Sequence, residues 1–224
     1  KVCAAMARIC SAHTSEGTIW PIDAALRPEG NAGPLVRSIA SCSIYYGKWA
    51  KNWEFQALLK ARPAAGDLDL GQAFCDMVSP LVWEAAQRPG FLPDVRAMRN
   101  RVISLIPAKE ADREIKLGIG GLMDTEFTVQ LLQLVHGRGD ERVRARGTFD
   151  ALRALVAFGY IGREDGADMA RAYRFQRVLE HRVQLRRMRR THLVPEDEPG
   201  WPYLARVIGK TSDEVKDLWR GSTR

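Results

Sequence analysis

The chain has 224 residues, of which 46% are hydrophobic and 27% charged. That suffices for a packed core in one large domain or two small ones. The formal net charge is +7 and the pI about 9.5. This balance permits anionic partners without demanding nucleic acid. No apolar run approaches the roughly 18 residues of a membrane-spanning helix, which excludes that class.

The chain opens with Lys1 in what reads as an amphipathic helix over residues 1–13, with Val2, Met6, Ile9 and Cys10 at helical spacing. No signal peptide precedes it, and a start in mid-helix suggests a fragment of a longer protein. After Glu16-Gly17 an apolar run through Trp20, Pro21 and Ile22 leads to Asp23 and reads as a strand of a partly buried sheet. Pro28 cannot donate to a ladder, so the strand should end there or lie at an edge. Pro28-Glu29-Gly30 and Gly33-Pro34 are turn chemistry, and Leu35-Val36 suggests a second short strand. Helical spacing returns over Ser38–Trp49 and Trp53–Arg62, and Pro63 and Gly66 end the second of these.

A domain boundary is expected just past the Pro63–Asp69 stretch, giving domains 1–69 and 70–224. Beyond it the periodicity predicts only helices. One starts at Phe91 with a buried stripe of Val95, Met98, Val102 and Leu105. The next opens at Asp124 after the Gly118/Gly120/Gly121 loop and stops at Gly137. Phe149, Leu152, Leu155 and Val156 line another. A long helix spans about 163–190, and Thr211 with Glu214 forms a capping-box pattern near the end. The fold class expected is α+β, mostly α: a piece of α/β domain followed by a helical bundle.

Cys3, Cys10, Cys42 and Cys75 make no CxxC pair and read as reduced core thiols of a cytosolic protein. The histidines are too scattered to form a metal cluster. Asp23, near a strand end beside Arg27 and under a Pro/Gly loop, is placed to hold a metal ion and a phosphate; the alternative is a plain Asp23–Arg27 ion pair. Lys60 and Arg62 could point at the same site or serve a helix end. Gly118, Gly120 and Gly121 before a helix could cradle a phosphate with backbone N–H groups. Asp124 reads either as an N-cap or as a site acid. Glu126, Gln130 and Gln133 share one helix face, which suits a hydrogen-bonded wall along a cleft. The Asp67-Leu68-Asp69 triplet reads as a solvated turn. Arg182, Arg186, Arg189 and Arg190 form a basic face, either solvated or a docking surface for an acidic partner.

Three blocks carry a family resemblance. The run Asp23-Ala24-Ala25-Leu26-Arg27-Pro28-Glu29-Gly30-Asn31-Ala32-Gly33-Pro34-Leu35-Val36 resembles D-x-x-L-R-P-x-G-x-x-G-x-L-V of the glutamine synthetase adenylyltransferase/adenylyl-removing enzymes. Trp53 to Arg62 resembles W-E-x-x-A-L-x-K-A-R, and Lys116 to Gln130 resembles K-x-G-x-G-G-x-x-D-x-E-F-x-x-Q. The resemblance implies the C-terminal portion of a nucleotidyltransferase domain over 1–69 and a helical domain after it. It implies adenylyl transfer to, or removal from, a tyrosine of glutamine synthetase, with an adenine nucleotide as substrate and Mg²⁺ or Mn²⁺ as cofactor. Asp23 would be a metal-binding acid, Arg27 a phosphate contact, and Asp124 and Glu126 neighbours of the nucleotide site.

The superfamily's upstream G-S turn and D-x-D do not occur before Asp23, so one of three metal-binding acids is present, and this chain alone is expected to be inactive. The R-P-E-G wording and Thr191-His192-Leu193-Val194-Pro195 look more like the phosphorolytic, adenylyl-removing half. Expected partners are glutamine synthetase and a PII-type signalling protein, in the cytoplasm. The alternative is a non-catalytic basic helical module binding a signalling protein or nucleic acid; nucleic acid is disfavoured because the Arg-rich helix lacks aromatics after Phe175.

Overall fold

A computed structural model describes residues 1–18, 22–187, 190–196 and 199–223. The chain divides by its backbone contacts into two units, Lys1–Arg88 and Pro89–Arg224. The expected boundary after Asp69 lies instead at the first turn of a helix that belongs to the first unit.

In the first unit α1 (Val2–Ser11) buries none of its residues. Helices α2 (Ile39–Lys48), α3 (Asn52–Leu58) and α4 (Leu68–Glu84) pack together, α4 lying against both others. Their core is Cys42, Tyr45, Tyr46, Ala50, Phe55, Val78, Val82 and Ala85. The Tyr46 ring sits between Phe55 and Phe74, with centroids 6.4 and 6.1 Å away. Burial pushes its hydroxyl up to about 12. Arg88 closes the unit: its Nε donates to Asn52 Oδ1 at 2.9 Å and its Nη2 to the Ala50 carbonyl at 2.8 Å, with the guanidinium over Phe55. Of the four thiols only Cys42 is buried, so the expectation of core cysteines holds for that one alone.

No strand forms among the described residues, where bridging is confined to the isolated pairs Thr14–Gly17 and Glu114–Leu193. The strand expected around Asp23 is therefore corrected. Residues 19–21 lie outside the described residues, and from Ile22 on the chain is coil and turns. The Asp23 carboxylate accepts the Ala25 N–H at 2.9 Å, which bends the backbone where a strand would run straight. Leu35-Val36 likewise pairs with nothing and is exposed.

Among the described residues the second unit is built on helices: α5 (Phe91–Ser104), α6 (Leu122–His136), α7 (Thr148–Ala157), α8 (Arg163–Arg187), α9 (Gly200–Ile208) and α10 (Ser212–Ser222). α8 is the spine, touching α6, α7, α9 and α10. On one side of it Ile115, Leu122, Tyr173, Leu179, Val194, Trp201, Leu204, Val215 and Trp219 make the larger core. A smaller core of Val129, Val143, Ala151, Leu152 and Leu155 lies between α6 and α7. The local signals match their elements. Thr211 and Glu214 cap α10 reciprocally, and Gly209, at φ 75°, ends α9. Leu105, expected in the α5 stripe, is exposed, and Arg99 is buried on that helix. No described helix is long and apolar enough to cross a membrane.

The two cores and the closed set of helix contacts predict that residues 89–224 fold alone. Circular dichroism on that segment should show a helical spectrum and one cooperative melt; a coil-like spectrum with no transition would refute independence.

Candidate functional site

The residues expected at the site fall in both units, and each group is described within its own. In the first unit the Arg-Pro-x-Gly segment is a loop folded around its own arginine. Arg27 donates from Nη1 to the Ala24 carbonyl at 2.6 Å, from Nε to Gly33 at 3.1 Å and from Nη2 to Asn31 at 3.3 Å. A methyl on Gly33 would sit 2.2 Å from the Pro28 carbonyl, so only glycine allows this closure. Glu29 takes a left-handed φ of 63° in the same turn and pairs with Arg37. Arg27 makes no ion pair with Asp23 among the described residues, so the simple pairing is absent. Its role in this structure is to gather carbonyls.

Asp23 itself is exposed. One carboxylate oxygen takes the Ala25 amide, and the other has no protein partner among the described residues. No group of three or more His, Cys, Asp or Glu that could hold a metal ion occurs among the described residues. A single carboxylate does not make a metal site, although Mg²⁺ with phosphate oxygens and waters uses as few as one or two. Lys60 and Arg62 lie beyond the end of α3, both exposed. The neighbouring Glu54 is nearly buried and accepts from the Tyr45 hydroxyl at 3.0 Å and the Lys51 amide at 2.9 Å. The Trp-Glu block thus joins α2 to α3. Asp67 is no free turn residue: its Oδ1 caps α4 by accepting the Leu70 N–H at 2.9 Å.

In the second unit the glycine loop is closed rather than open to a phosphate. Asp124 lies in the first turn of α6, after the N-cap Gly121. Its Oδ2 accepts the Gly120 N–H at 2.7 Å, and its Oδ1 accepts from Arg99 Nε at 2.5 Å. Arg99 also donates to the carbonyls of Leu117 at 3.0 Å and Gly118 at 2.9 Å. The Gly121 amide donates to Gly118 and the Leu122 amide to Ile115. The Gly120, Gly121 and Leu122 N–H groups are engaged within the loop, so those of Gly120 and Gly121 are not free to cradle a phosphate as expected. Gly120 has φ 70°, and a methyl there would meet the Thr223 carbonyl at 2.2 Å, so the loop is pressed against the end of α10. Gln176, 1% exposed, donates to the carbonyls of Gly120 and Ser222 at 2.8 Å each and seals that seam.

In the wall of Glu126, Gln130 and Gln133, the first and last bond to other elements of the unit. Gln133 is buried and donates to the Val143 and Ala145 carbonyls, both at 2.7 Å. Glu126 Oε1 accepts from the Tyr173 hydroxyl and from Arg177 Nη2, both at 2.8 Å. Arg177 also donates to Glu180 Oε2 at 2.8 Å, and His192 Nδ1 lies 2.9 Å from Glu180 Oε1. This chain of charges ties α6 to α8 and α8 to the segment carrying His192. Beside it the Ile115 amide donates to the His192 carbonyl at 2.7 Å, and the Val194 amide to Arg113 at 2.9 Å. Sequence reasoning missed Arg99, Arg177 and Glu180. The i, i+3 spacing of Arg177 and Glu180 was a visible signal for one pair. Nothing in the spacing pointed to Arg99 and Asp124, 25 residues apart. Of the expected basic face, Arg182 and Arg190 are exposed and Arg186 is partly buried with its guanidinium over Tyr203; Arg189 lies outside the described residues.

Burial alone would push the Glu180 carboxyl up, but the His192 and Arg177 hydrogen bonds outweigh it and hold it at about 2, below its usual 4.5. A depressed folded-state value stabilises the fold above the unfolded value and loses that contribution as pH falls from about 4.5 toward 2. Glu180→Gln should therefore lower stability by about 3 kcal/mol at neutral pH and flatten its fall between pH 5 and 2. Denaturant melts at several pH values read this directly, and a variant with the parent's acid profile would refute it. Gly120→Ala should cost about 2 kcal/mol or more, since the backbone is strained for an L side chain and the methyl meets a carbonyl. A melting temperature within a degree or so of the parent would show that the seam with α10 yields freely.

A family profile described as GlnD PII-uridylyltransferase matches residues 96–221, more than half of the chain, and one described as Glutamate-ammonia ligase adenylyltransferase matches residues 1–77. The chain is 62% identical over 225 residues to the "Bifunctional glutamine synthetase adenylyltransferase/adenylyl-removing enzyme" of Cutibacterium acnes, a match covering 100% of this chain and 23% of that protein. It is 58% identical to the protein of that name from Streptomyces avermitilis, over 96% of this chain and 22% of the relative. It is 54% identical to the one from Mycobacterium bovis, over 97% and 22%. The chain thus spans less than a quarter of the length of these relatives. With every block of the resemblance inside these matches, the chain belongs to the family of bifunctional glutamine synthetase adenylyltransferase/adenylyl-removing enzymes.

Proposed function

We propose that this chain is part of an enzyme that adds AMP to, and removes it from, a tyrosine of glutamine synthetase, and that it comes from the phosphorolytic, adenylyl-removing half. The observation that carries the reading is the 62% identity along the whole chain to a relative bearing that activity in its name. The Arg-Pro-Glu-Gly and Thr-His-Leu-Val-Pro wording supports the choice of half. The partners are then glutamine synthetase and a PII-type signalling protein, and the setting is the cytoplasm.

Group transfer at phosphorus leaves a protein mainly the tasks of positioning and charge stabilisation. A Mg²⁺ or Mn²⁺ ion bound with an adenine nucleotide would supply part of that charge. Asp23 is suited to join such a site, because its carboxylate is exposed and one oxygen is unengaged by protein among the described residues. The remaining acids would have to come from elsewhere in the full-length enzyme, so the chain by itself is inactive in this reading. Arg27 acts first through the shape of the loop beside Asp23, and Asp124 and Glu126 act as positioning residues within the second unit.

Asp23→Asn is nearly isosteric and exposed, so the fold should persist. Loss of a preorganised charge at the transferred group costs on the order of 3 kcal/mol, or a hundredfold in rate. In the full-length enzyme, phosphate-dependent removal of AMP should fall by about that factor while ATP-dependent addition continues. Both rates and a melting curve are measured on one preparation. Collapse of addition alone would reverse the choice of half. Two unchanged rates in a folded variant would refute a role for Asp23 in the transfer.

A further inference from the structure

Arg62 opens onto a cavity of about 630 Å³ within the first unit, between the starts of α2 and α4. Arg37 and Arg62 line it, as do Ser38 and Ile39 at the start of α2 and Asp67, Leu70 and Gly71 at the start of α4. Each helix start carries first-turn N–H groups that lack an intrahelical acceptor. Ser38 Oγ takes the Ser41 amide at 3.2 Å, and Asp67 Oδ1 takes that of Leu70. The Gly71 amide donates to the Asp67 carbonyl at 3.1 Å, so of the lining residues at the helix starts only Ser38 and Ile39 have amides without an acceptor among the described residues. The start of α2 thus brings partial positive charge to the lining, whereas at the start of α4 the Asp67 carboxylate offsets it.

The two arginines differ in use. Arg62 is exposed and makes no ion pair or hydrogen bond with protein among the described residues. Arg37 pairs through Nη2 with Glu29, reaches Ser41 Oγ from Nη1 at 3.4 Å, and has an Nε shut from solvent with no acceptor. Its charge is felt across the cavity, where it opposes the upward push of burial on the Cys42 thiol. Asp67 is the one acid among the lining residues, and Glu29 is not among them. The rest of the lining is apolar: Cys42, Ala61, Ala65, Phe74 and Cys75.

A cavity of this size, lined mainly by apolar residues with a few polar and charged ones, has the make-up of a small-ligand site. We propose that it binds a phosphomonoester whose phosphate lies between Arg62, Arg37 and the start of α2 and whose apolar body lies against Phe74 and Cys75. The guanidinium of Arg62 would grip the phosphate by charge-assisted hydrogen bonds, and the Ser38 and Ile39 amides at the start of α2 would orient it. Arg62 is the one residue shared with the proposed transfer site. The pocket stands on its own geometry and needs neither a metal nor Asp23.

Titration of the isotope-labelled 224-residue chain with inorganic phosphate, AMP and adenosine, at constant ionic strength and without metal, tests this. The expected result is a saturable shift of the Ser38, Ile39, Leu70 and Gly71 amides. AMP should bind more tightly than phosphate, and adenosine about tenfold more weakly than AMP or not at all. Arg62→Ala should weaken AMP binding about tenfold without changing the melting temperature. AMP should also slow alkylation of Cys75 while leaving Cys3 and Cys10 on α1 unaffected. Absence of saturable shifts at these amides up to about 20 mM phosphate would overturn the proposal. So would adenosine binding as well as AMP, or an Arg62→Ala variant that binds like the parent. Asp23→Asn should bind as the parent does. If it abolishes binding, the anion belongs to the transfer site and this pocket is refuted, whatever becomes of the proposed activity.

Discussion

A carboxylate cut off from water must be protonated or surrounded by donors, and in the second unit Glu180 is surrounded. Only 3% exposed, it is held between Arg177 and His192. Through Arg177 the same network reaches Tyr173 and Glu126 on α6. Removing one member leaves buried charges without partners, which costs more than the pair itself contributes. The larger apolar core lies around this chain, with Leu179 and Val183 on the same helix as Glu180 and Val194 just beyond His192. The segment around His192 has no helix of its own to hold it. It is fixed by this ion chain and by main-chain bonds to residues 113 and 115.

Arginine recurs as the residue that gathers loops. Arg27 holds three carbonyls of its own turn, Arg88 one at the end of α2, Arg99 two in the glycine loop, Arg113 that of Val194 and Arg144 that of Gly137. The planar guanidinium has five N–H donors in a fixed fork and loses little hydration when buried, which suits it to carbonyls that no helix or sheet satisfies. A formal charge of +7 therefore overstates the free positive surface. This matters for function, because a basic composition invites a search for anionic partners that these internal arginines do not serve.

The family blocks have local structural work that their wording does not reveal. The Asp-x-x-Leu-Arg-Pro block makes an arginine-clasped turn, the Trp-Glu block joins two helices through Glu54, and the Gly-x-Gly-Gly-x-x-Asp block makes a loop sealed by Arg99, Asp124 and Gln176. A glycine-rich loop before a helix resembles a phosphate cradle in sequence. Here the carboxylate four residues on occupies the position an anion would take. Asp23 is exposed and keeps one carboxylate oxygen free of protein partners among the described residues, whereas both oxygens of Asp124 are engaged.

By itself the sequence determined five of the six helices of the second unit, all but α9, because their apolar stripes recur at 3.6 residues and their ends carry Gly, Pro or a capping pair. It also determined the family, through three blocks in order. It misjudged the stretch around Asp23, since a short apolar run followed by turn residues carries no information on whether a partner strand lies beside it. The tertiary structure alone decided which charged residues are inside. Arg99 with Asp124, and Glu180 with Arg177 and His192, are chosen by which helices meet, and no spacing in one dimension encodes that meeting. It also set α4 with α2 and α3, because the aromatic side chains of Tyr46, Phe55 and Phe74 find one another only when those helices pack.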